Sequence, residues 1–547
     1  MSEYSDIMPN VQNQHSTADW TREQHFDSLT RLPDRRLVII GGGVHGAALA
    51  RLAGLNGTDC LLLERGDYAS GTSSRSSKMA HGGLRYLENF DFEQVFEGIK
   101  SREELFEDAN HIVRPERFLI PINANDHWMK LKLGVGLRLY DLMAKSAVRK
   151  HRWVSRAKLN YEGFSSNRED LLGCYLYTDG LMNDSRLVIE SIVHARQMGS
   201  LCLNYAEVKQ VQKEVDGKTQ IVFEDRLTGR EYEVRAEVVM NCAGPWVPFI
   251  GNSAGGNLTE RLRYSAGTHL LFNRAWTAPS LFLPMSGKSR YYFVWPHPGG
   301  TMVGTTEREV TDLPAEQMPT KSEIDEVLER LKRDLPKSGL DRSSLYYAFS
   351  GVRTLPLRDG KRSTAQLSRK HVWQEADGML TLLGGKFTSA NWTAFEGFKI
   401  ACEKLAVGGK LGSLSGVPYP GAGSEENLNR IENELLKSGL KDQFARRLIR
   451  RLGMRCNYLL EDASRLSKLT HQLTVGEVEL GVKYEQAETI EDILRRRTEI
   501  EYLPGCGLEE VHRLSEYLAR LKPGADMIAQ ERNYVERIAA VQKALSA

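Results

Sequence analysis

The sequence has few of the features that would place a protein in a bilayer or an oxidising compartment. No apolar run approaches the roughly 18 residues that a membrane span needs. The seven cysteines are scattered, with no CxxC pair and no metal-ligand spacing, which favours a reduced cytoplasmic protein without a metal site. The N-terminus lacks the positive start and apolar stretch of a signal peptide.

Excess charge of one sign is also lacking. Lys and Arg number 73 and Asp and Glu 71, so the formal net charge is +2 and gives no reason to expect nucleic acid as a partner. The 547 residues suffice for two or three domains with large cores. Residues 1–34 are polar and rich in Asn, Gln, Asp and Ser, which predicts a flexible extension.

A glycine-rich turn follows the first apolar run of the chain. Residues 37–40 are short, apolar and β-branched, as in a buried parallel strand, and Gly41, Gly43 and Gly46 then form G-x-G-x-x-G. The first glycine permits a tight turn, the second lets the backbone approach a phosphate, and the third lets a helix pack closely on the strand. The helix N-terminus then favours a pyrophosphate.

A second strand and an acidic residue complete this pattern. Residues 60–63 are apolar, and Glu64 ends the run, where a carboxylate accepts hydrogen bonds from the adenosine ribose hydroxyls. Strand, turn, helix, strand and acid together predict a dinucleotide site. A glycine-rich turn in an ordinary α/β domain is the alternative.

A segment rich in hydroxyls and glycines follows, and its residues can meet phosphate and ring acceptors through side chains and backbone N–H groups. Its candidate cofactor residues are Thr72, Ser73, Ser77, Lys78, His81, Gly82 and Gly83. The stretch TSSRSSKMAHGGLRYLE closely resembles the flavin segment of FAD-dependent, quinone-linked glycerol-3-phosphate dehydrogenases. Further matches follow in order at residues 241–246, 267–269, 304–306, 350–353, 384–388 and 477–497, so the resemblance covers nearly everything after residue 35.

The resemblance implies an α/β fold with three parts. They are a Rossmann-type FAD-binding domain of the D-amino-acid-oxidase and glutathione-reductase-like superfamily, an inserted mixed-sheet substrate domain, and a helical C-terminal domain. We expect the FAD-binding region over 35–404, built from about 35–110, 181–261 and 346–404. The substrate domain would occupy about 111–180 and 262–345, and the helical domain 405–547. Within the second part, residues 270–272, 294–296 and 302–304 predict antiparallel strands, and 320–335 has helical spacing.

Two more strand ends are predicted to reach the flavin. Residues 238–241 end in Ala243 and Gly244, with Trp246 beyond, and residues 380–383 end in Gly384 and Gly385. Lys386 and Thr388 follow, and a helix starting near Thr388 would direct its N-terminus at the flavin ring. The resemblance implies FAD held non-covalently, although His81 could in principle form a covalent link.

The implied chemistry is oxidation of sn-glycerol 3-phosphate to dihydroxyacetone phosphate, with hydride passing from C2 to flavin N5 and electrons to a quinone. The resemblance places Arg85, Tyr86, His269, Arg353 and Lys386 around the substrate. Arg85 and Arg353 would bind phosphate and oxyanion, because the guanidinium fork bonds phosphate oxygens in pairs. His269 is the candidate base, since imidazole titrates near pH 6.5, and Lys386 could stabilise the alkoxide or reduced flavin.

The sequence departs from the family at two places. Ser389-Ala390-Asn391 stands where the family usually has Thr-Tyr-Arg, and Glu307 stands where it usually has Asp. Both changes are predicted to lie near the mouth of the site. They leave open a related anionic hydroxy compound as substrate, an oxidase that uses oxygen, and a non-catalytic flavoprotein.

The region after residue 405 has helix-period apolar positions and many arginines. Phe444, Leu448 and Leu452 share one face of a helix, and Arg446, Arg447, Arg450, Arg451 and Arg455 occupy its other faces. Such a helix either buries one face in a domain with solvated arginines or lies on anionic lipid. The resemblance implies a cytoplasmic protein that can bind peripherally to the inner face of the membrane, with a homodimer as one option.

Overall fold

The computed structural model describes residue 17 and residues 19–84, 91–144, 150–162, 164, 170–250, 261–284, 291–313, 316–357, 371–376 and 378–546. The strands in this part of the chain are β1 (Asp34–Ile40), β2 (Cys60–Leu63), β3 (Met79–Ala80), β4 (Val113–Asn123), β5 (Arg152–Ser155), β6 (Leu171–Met182), β7 (Leu201–Leu203), β8 (Ala206–Lys213), β9 (Thr219–Asp225), β10 (Arg230–Asn241), β11 (Arg261–Phe272), β12 (Ser280–Pro284), β13 (Tyr291–His297), β14 (Gly300–Gly304), β15 (Arg308–Val310), β16 (Leu345–Leu357), β17 (Val372–Ala376) and β18 (Met379–Leu383).

The α-helices in the same ranges are α1 (Arg22–Arg31), α2 (Val44–Leu55), α3 (Phe92–Asp108), α4 (His127–Met143), α5 (Asp184–Gln197), α6 (Lys321–Asp334), α7 (Ala390–Lys404), α8 (Glu425–Lys437), α9 (Asp442–Leu452), α10 (Asn457–Leu460), α11 (Val475–Glu485), α12 (Val511–Leu521) and α13 (Met527–Ser546). A π-helical turn occupies Asp492–Arg497.

The first sheet carries the predicted glycine turn. Its order is β17-β18-β10-β1-β2-β7, and β1 is parallel to both β2 and β10. The side chains of β1 alternate between two cores: Leu37 and Ile39 pack with α2, α5 and α7, and Val38 and Ile40 pack with β8, β9 and α1. Burial on both faces explains why β1 is apolar at successive positions rather than alternating.

The second sheet is mixed and has the order β15-β11-β14-β13-β12-β4-β6-β3, with β16 on β11 and β5 on β6. β4 and β12 are parallel, whereas β11 pairs antiparallel with β14 and β16. The predicted strands at 270–272, 294–296 and 302–304 lie within β11, β13 and β14. The α/β class with a Rossmann-type sheet and an inserted mixed sheet is therefore confirmed.

Helix α6 covers the second sheet in the place predicted for residues 320–335. Thr320 and Glu323 form a capping box at its N-terminus, which satisfies two otherwise unpaired backbone N–H groups. Ile324, Val327 and Leu331 point into the core beneath the sheet. The spacing of these apolar residues thus reflects a helix with one buried face.

Helices from α8 onward form the C-terminal region, and its apolar residues share a core with the second sheet. Ile493, Leu494 and Tyr502 belong to the same cluster as Leu271 and Phe349. The domain boundaries themselves stay a prediction. Strand β16 pairs along its length with β11, although the predicted boundary at 346 assigns most of it to the first domain.

Strand register positions the site. Ile40 pairs with Asn241, and Asn241 with Thr381, so β1, β10 and β18 end side by side. The loops that leave their carboxyl ends therefore converge, as parallel α/β sheets require for ligand binding at that edge.

Candidate functional site

A cavity of about 1850 Å³ lies where these three loops meet the second sheet. Its lining includes Gly41 and Gly43 from the β1–α2 turn, Ala243 and Gly244 after β10, and Gly385 after β18. Three segments distant in sequence thus line one cavity. His269 and Arg353 from the second sheet form another part of its wall, as the sequence predicted.

The glycine turn has the geometry expected of a phosphate-binding turn. Gly41 has φ of +107°, and a Cβ there would stand 2.6 Å from the carbonyl oxygen of Cys242. Gly43 caps α2, and the only neighbour a Cβ on Gly43 would meet closely is the Ser73 hydroxyl at 3.1 Å. Gly46 lies inside α2, where a Cβ would overlap the Gly41 carbonyl at 1.9 Å. Each glycine thus meets the steric demand that predicted it.

Glu64 lies directly beside this turn. Its Oε2 accepts a hydrogen bond from the Gly42 N–H at 2.6 Å, and its Oε1 accepts one from the Gly66 N–H at 2.8 Å. Burial raises the pKa of Glu64, which these two backbone donors partly oppose. Each carboxylate oxygen keeps acceptor capacity for a ribose hydroxyl, so the residue suits the predicted role.

The residues present fit a dinucleotide. Ser73 Oγ accepts a hydrogen bond from the Val44 N–H at 3.0 Å in the first turn of α2, at the end of the helix that attracts anions. Gly244 has φ of +58°, and a Cβ there would meet nothing within 4 Å. The chain therefore leaves open space along the edge of the sheet, where a dinucleotide would run from Glu64 towards His269.

The cavity collects most of the predicted site residues. Those in its lining are Gly41, Gly43, Glu64, Thr72, Ser73, Ser77, His81, Gly83, Ala243, Gly244, Trp246, His269, Arg353, Gly385, Lys386 and Thr388. Gly46, Lys78 and Gly82 are outside the lining. Arg85 and Tyr86 lie outside the described residues.

Lys78 does not turn towards the cavity as predicted. Its Nζ donates to Asp184 Oδ1 at 2.6 Å and to Glu499 Oε1 at 3.0 Å, and it stands over the Tyr502 ring. Burial opposes its charge, but Asp184 and Glu499 raise the pKa of Lys78 above its ordinary value. Lys78 therefore joins the flavin segment to the C-terminal region. Gly82 likewise serves packing, because a Cβ there would overlap the Tyr140 hydroxyl at 2.2 Å.

His269 is the most perturbed of the predicted catalytic residues. It is only 2% exposed, its ring stacks on Phe349, and its Nε2 lies 2.9 Å from Ser77 Oγ. Burial, with help from Arg353 and Lys78, lowers the pKa of His269 to about 3. The expectation of an imidazole titrating near pH 6.5 is therefore wrong for this environment, and the ring is neutral at pH 7.

Buried neutral histidines make stability sensitive to acid. Burial lowers the pKa of His25 as well as His269 to about 3, so between pH 6.5 and 3 the unfolded chain binds protons that the folded chain does not. Stability then falls as pH falls, by about 1.4 kcal/mol per pH unit for each histidine. We expect the melting temperature to drop between pH 7 and 5.5.

A variant pair tests the cause. His25→Gln should show a shallower fall in melting temperature with pH, because one protonation linkage is removed. His512→Gln, at an exposed histidine, should keep the slope of the unaltered protein. Equal slopes for all three proteins would contradict a buried neutral His25.

Arg353 and Lys386 bring two cations to the same cavity. Arg353 extends from β16, and its Nη2 donates to Thr305 Oγ1 at 2.9 Å. Gly267 makes room for it, since a Cβ there would stand 2.3 Å from that nitrogen. Lys386 Nζ is 3.8 Å from Glu97 Oε1, a loose pair in which Nζ can reorient towards an anion. The site thus combines one neutral base with two fixed positive charges.

Glycine at position 41 offers a direct test of the turn. Gly41→Ala is expected to reduce the retained cofactor by more than tenfold, because the new Cβ overlaps the Cys242 carbonyl at a positive φ. The Cys242 N–H is bonded to the Ile40 carbonyl at 2.8 Å, so the backbone has little room to move away. Cofactor absorbance per chain after gel filtration measures the loss.

Gly57→Ala is the matched control for this change. Gly57 also has a positive φ, +63°, but a Cβ there would meet nothing within 4 Å. It should cost about 1 kcal/mol of stability through backbone strain and leave cofactor content unchanged. Equal cofactor content in the two variants would show that the Gly41 turn does not shape the site.

Comparison with known proteins now decides the family. The family model for FAD-dependent oxidoreductases matches residues 36–393, and the model for the C-terminal domain of alpha-glycerophosphate oxidase matches residues 415–522. The chain is 30% identical over 509 residues to a probable mitochondrial glycerol-3-phosphate dehydrogenase of Dictyostelium discoideum, covering 87% of this chain and 79% of that protein. This chain belongs to the FAD-dependent glycerol-3-phosphate dehydrogenase family.

Other relatives agree with this assignment. The aerobic glycerol-3-phosphate dehydrogenase of Bacillus subtilis is 29% identical over 505 residues, covering 88% of this chain and 90% of that one. A crystal structure of glycerol-3-phosphate dehydrogenase from Bacillus halodurans in complex with FAD superposes with a TM-score of 0.78 at 22% identity, covering 96% and 98% of the two chains. The protein is a flavoenzyme, and FAD is the dinucleotide that its cavity takes.

The sequence missed several residues of the flavoenzyme's cavity. His45, in the glycine turn, packs its ring where a Cβ on Gly385 would lie, 2.6 Å from the ring atoms. Glu491 and Arg496 arrive from the π-helical turn. Arg496 and Arg497 both donate to Asp67, which lies three residues beyond Glu64. No local pattern pairs residue 67 with residue 496, so only the run of three arginines could have suggested a buried cluster.

The two departures from the family lie in different places. Glu307 lines the cavity, as predicted. Ala390 is buried at the start of α7, and neither it nor Asn391 is part of the lining. The prediction that both departures border the site is therefore correct for Glu307 alone within the described lining.

The basic helix near residue 450, which is α9, is not a lipid-facing helix. Arg451 is 4% exposed and pairs with Glu477, and Arg455 pairs with Glu485. Burial lowers the pKa of Arg447 to about 10 although Glu477 is near. These arginines anchor α9 inside the C-terminal region. The reading as a domain helix is thus closer, although these three arginines are paired inside rather than solvated.

Proposed function

We propose that the flavoenzyme oxidises sn-glycerol 3-phosphate to dihydroxyacetone phosphate. One observation carries the proposal: a neutral buried histidine and a guanidinium occupy the same wall of the FAD cavity. A secondary alcohol next to a phosphate needs a proton acceptor and an anion-binding group. The names of the relatives, glycerol-3-phosphate dehydrogenases, support the same substrate.

We assign the proton transfer to His269. Its neutral ring keeps a lone pair at pH 7 and can accept the C2 hydroxyl proton as the hydride leaves C2 for flavin N5. A pKa near 3 makes a weak base in the empty pocket. A bound phosphate dianion adds negative charge, which raises the pKa of the imidazole towards neutrality. Ser77 fixes the ring through its contact with Nε2.

Arg353 would bind the substrate phosphate, with Thr305 holding the guanidinium in place. Lys386 would stabilise the developing alkoxide or the reduced flavin. Arg85 and Tyr86 stay predicted substrate ligands. The glycine turn, Glu64 and the hydroxyls of residues 72–77 would hold FAD, and FAD supplies the two-electron acceptor when bound.

For the acceptor we propose a quinone, reached by peripheral contact of a cytoplasmic protein with the inner face of the membrane. Within the described residues no helix has the length and apolar character to cross a bilayer. Oxygen is the second candidate acceptor, because the C-terminal family model takes its name from alpha-glycerophosphate oxidase. We leave a homodimer as part of the proposal.

Anaerobic mixing tests the substrate. Glycerol 3-phosphate is expected to bleach the flavin absorbance of the FAD-loaded enzyme, whereas glycerol at the same concentration should not. Flavin that stays oxidised with glycerol 3-phosphate would overturn the proposal. Adding a soluble quinone to the reduced enzyme under nitrogen, against adding oxygen and measuring peroxide, then separates the two acceptors.

A further inference from the structure

The solvent-facing side of α4 is apolar, which is unusual for an exposed helix. Trp128 is 73% exposed, Leu131 60% and Leu142 81%, and Val135 and Leu139 lie between them. At 100° per residue these five side chains fall within about 80° of arc along a helix about 25 Å long. The opposite side is also apolar, since Leu137 and Tyr140 are buried in the main core.

Charge on this helix has one sign where it meets solvent. Lys132 and Arg138 are exposed and flank the apolar stripe on its two edges. The acid of the helix, Asp141, is held by His151 and is not fully exposed. The exposed face of α4 therefore presents apolar side chains bordered by two cations and no carboxylate. That is the pattern of a helix lying in a lipid interface beside anionic headgroups.

The stripe borders the mouth of the FAD cavity. Lys132 lines the cavity, and so do Asp91 and Gln94 at the start of α3, which packs against α4. Helix α3 also exposes two aromatic rings one turn apart, Phe92 and Phe96. An apolar electron acceptor dissolved in lipid would thus meet the protein at the opening of the cavity.

We infer that α4, through Trp128, Leu131, Val135, Leu139 and Leu142, docks the enzyme on an anionic bilayer with the FAD cavity opening towards the lipid. This rests on the proposed quinone-linked function, and it identifies the docking surface for it. Exposed apolar area supplies the insertion, and the two flanking cations select anionic headgroups. The docking surface is α4 rather than the arginine-rich α9, whose cations are paired inside.

Vesicle co-sedimentation of the FAD-loaded full-length enzyme tests this. Vesicles of phosphatidylcholine with 30% phosphatidylglycerol should carry the enzyme down, and pure phosphatidylcholine should carry down several-fold less, where the approximate factor follows from two interfacial cations. The combined variant Leu131→Asn, Val135→Asn and Leu142→Asn should bind at least tenfold more weakly. Its turnover of glycerol 3-phosphate with a soluble dye should equal that of the unaltered enzyme.

A matched control removes exposed apolar side chains elsewhere. Val215→Asn, Leu227→Asn and Ile528→Asn lie at exposed positions far from α4 in the sequence and should leave vesicle binding intact. Undiminished binding of the α4 variant would overturn the inference. So would a change of its oligomeric state with vesicle binding unchanged, because a second copy would then cover α4. Loss of dye-linked turnover in the unaltered enzyme would instead refute the proposed function and leave vesicle binding to be judged separately.

Discussion

His269→Asn is expected to lower kcat with glycerol 3-phosphate by about 10²- to 10⁴-fold, the range that a positioned general base contributes. The imidazole is the one neutral titratable ring that shares the cavity wall with Arg353 among the residues predicted for catalysis. Asparagine keeps a polar group beside Ser77 but has no basic lone pair at neutral pH. Single-turnover bleaching of the flavin, followed anaerobically, measures the chemical step directly.

His297→Asn is the control for burial alone. Burial also lowers the pKa of His297 to about 3, but His297 is outside the cavity lining. Its variant should retain turnover within a few-fold of the unaltered enzyme. The assignment of His269 fails if its variant, with full FAD content, reduces the flavin within tenfold of the normal rate.

Arg353→Met is expected to raise KM for glycerol 3-phosphate by roughly 10²-fold or more, in keeping with about 2–5 kcal/mol for loss of one partner of a hydrogen-bonded charge pair. FAD content should not change, because the guanidinium is assigned to the substrate. The same variant should lose discrimination between glycerol 3-phosphate and glycerol, since glycerol has no phosphate to bind. Steady-state kinetics with both compounds measures this.

Two further variants sharpen this result. Gly267→Ala should raise KM in the same direction, because its Cβ would stand 2.3 Å from Arg353 Nη2 and displace the guanidinium without removing its charge. Arg308→Met removes a nearby arginine that pairs with Glu323 and does not line the cavity, so KM should stay unchanged. Loss of FAD from Arg353→Met would mean that this residue holds the cofactor instead.

The cofactor half of the site was predictable because its geometry is local. Strand, turn and helix are contiguous over residues 37–55, and each glycine answers a steric demand of its own neighbours. Glu64 follows from the next strand, which is parallel and adjacent. Such short-range patterns carry their structural meaning in the sequence itself.

The resemblance to a known family brought His269, Arg353 and Lys386 into one set, but it did not reveal their surroundings. Burial of His269 and the nearness of two cations determine its pKa, and these come from strands β11 and β16 and from residue 78. Lys78 was predicted at the cofactor and instead pairs with Asp184 and Glu499. Its partners are over 100 and over 400 residues away along the chain.

The sequence by itself determined that the protein has an FAD-type turn, an acid beside it and a helical C-terminal region, because these depend on periodicity and near neighbours. The tertiary structure alone decided which charges are buried and which faces are open. Arg447, Arg451 and Arg455 turned inward because carboxylates of α11 meet them there, whereas the apolar stripe of α4 stayed exposed because no described element covers it. Charge pairing and coverage depend on residues brought together from distant parts of the chain, which periodicity cannot encode.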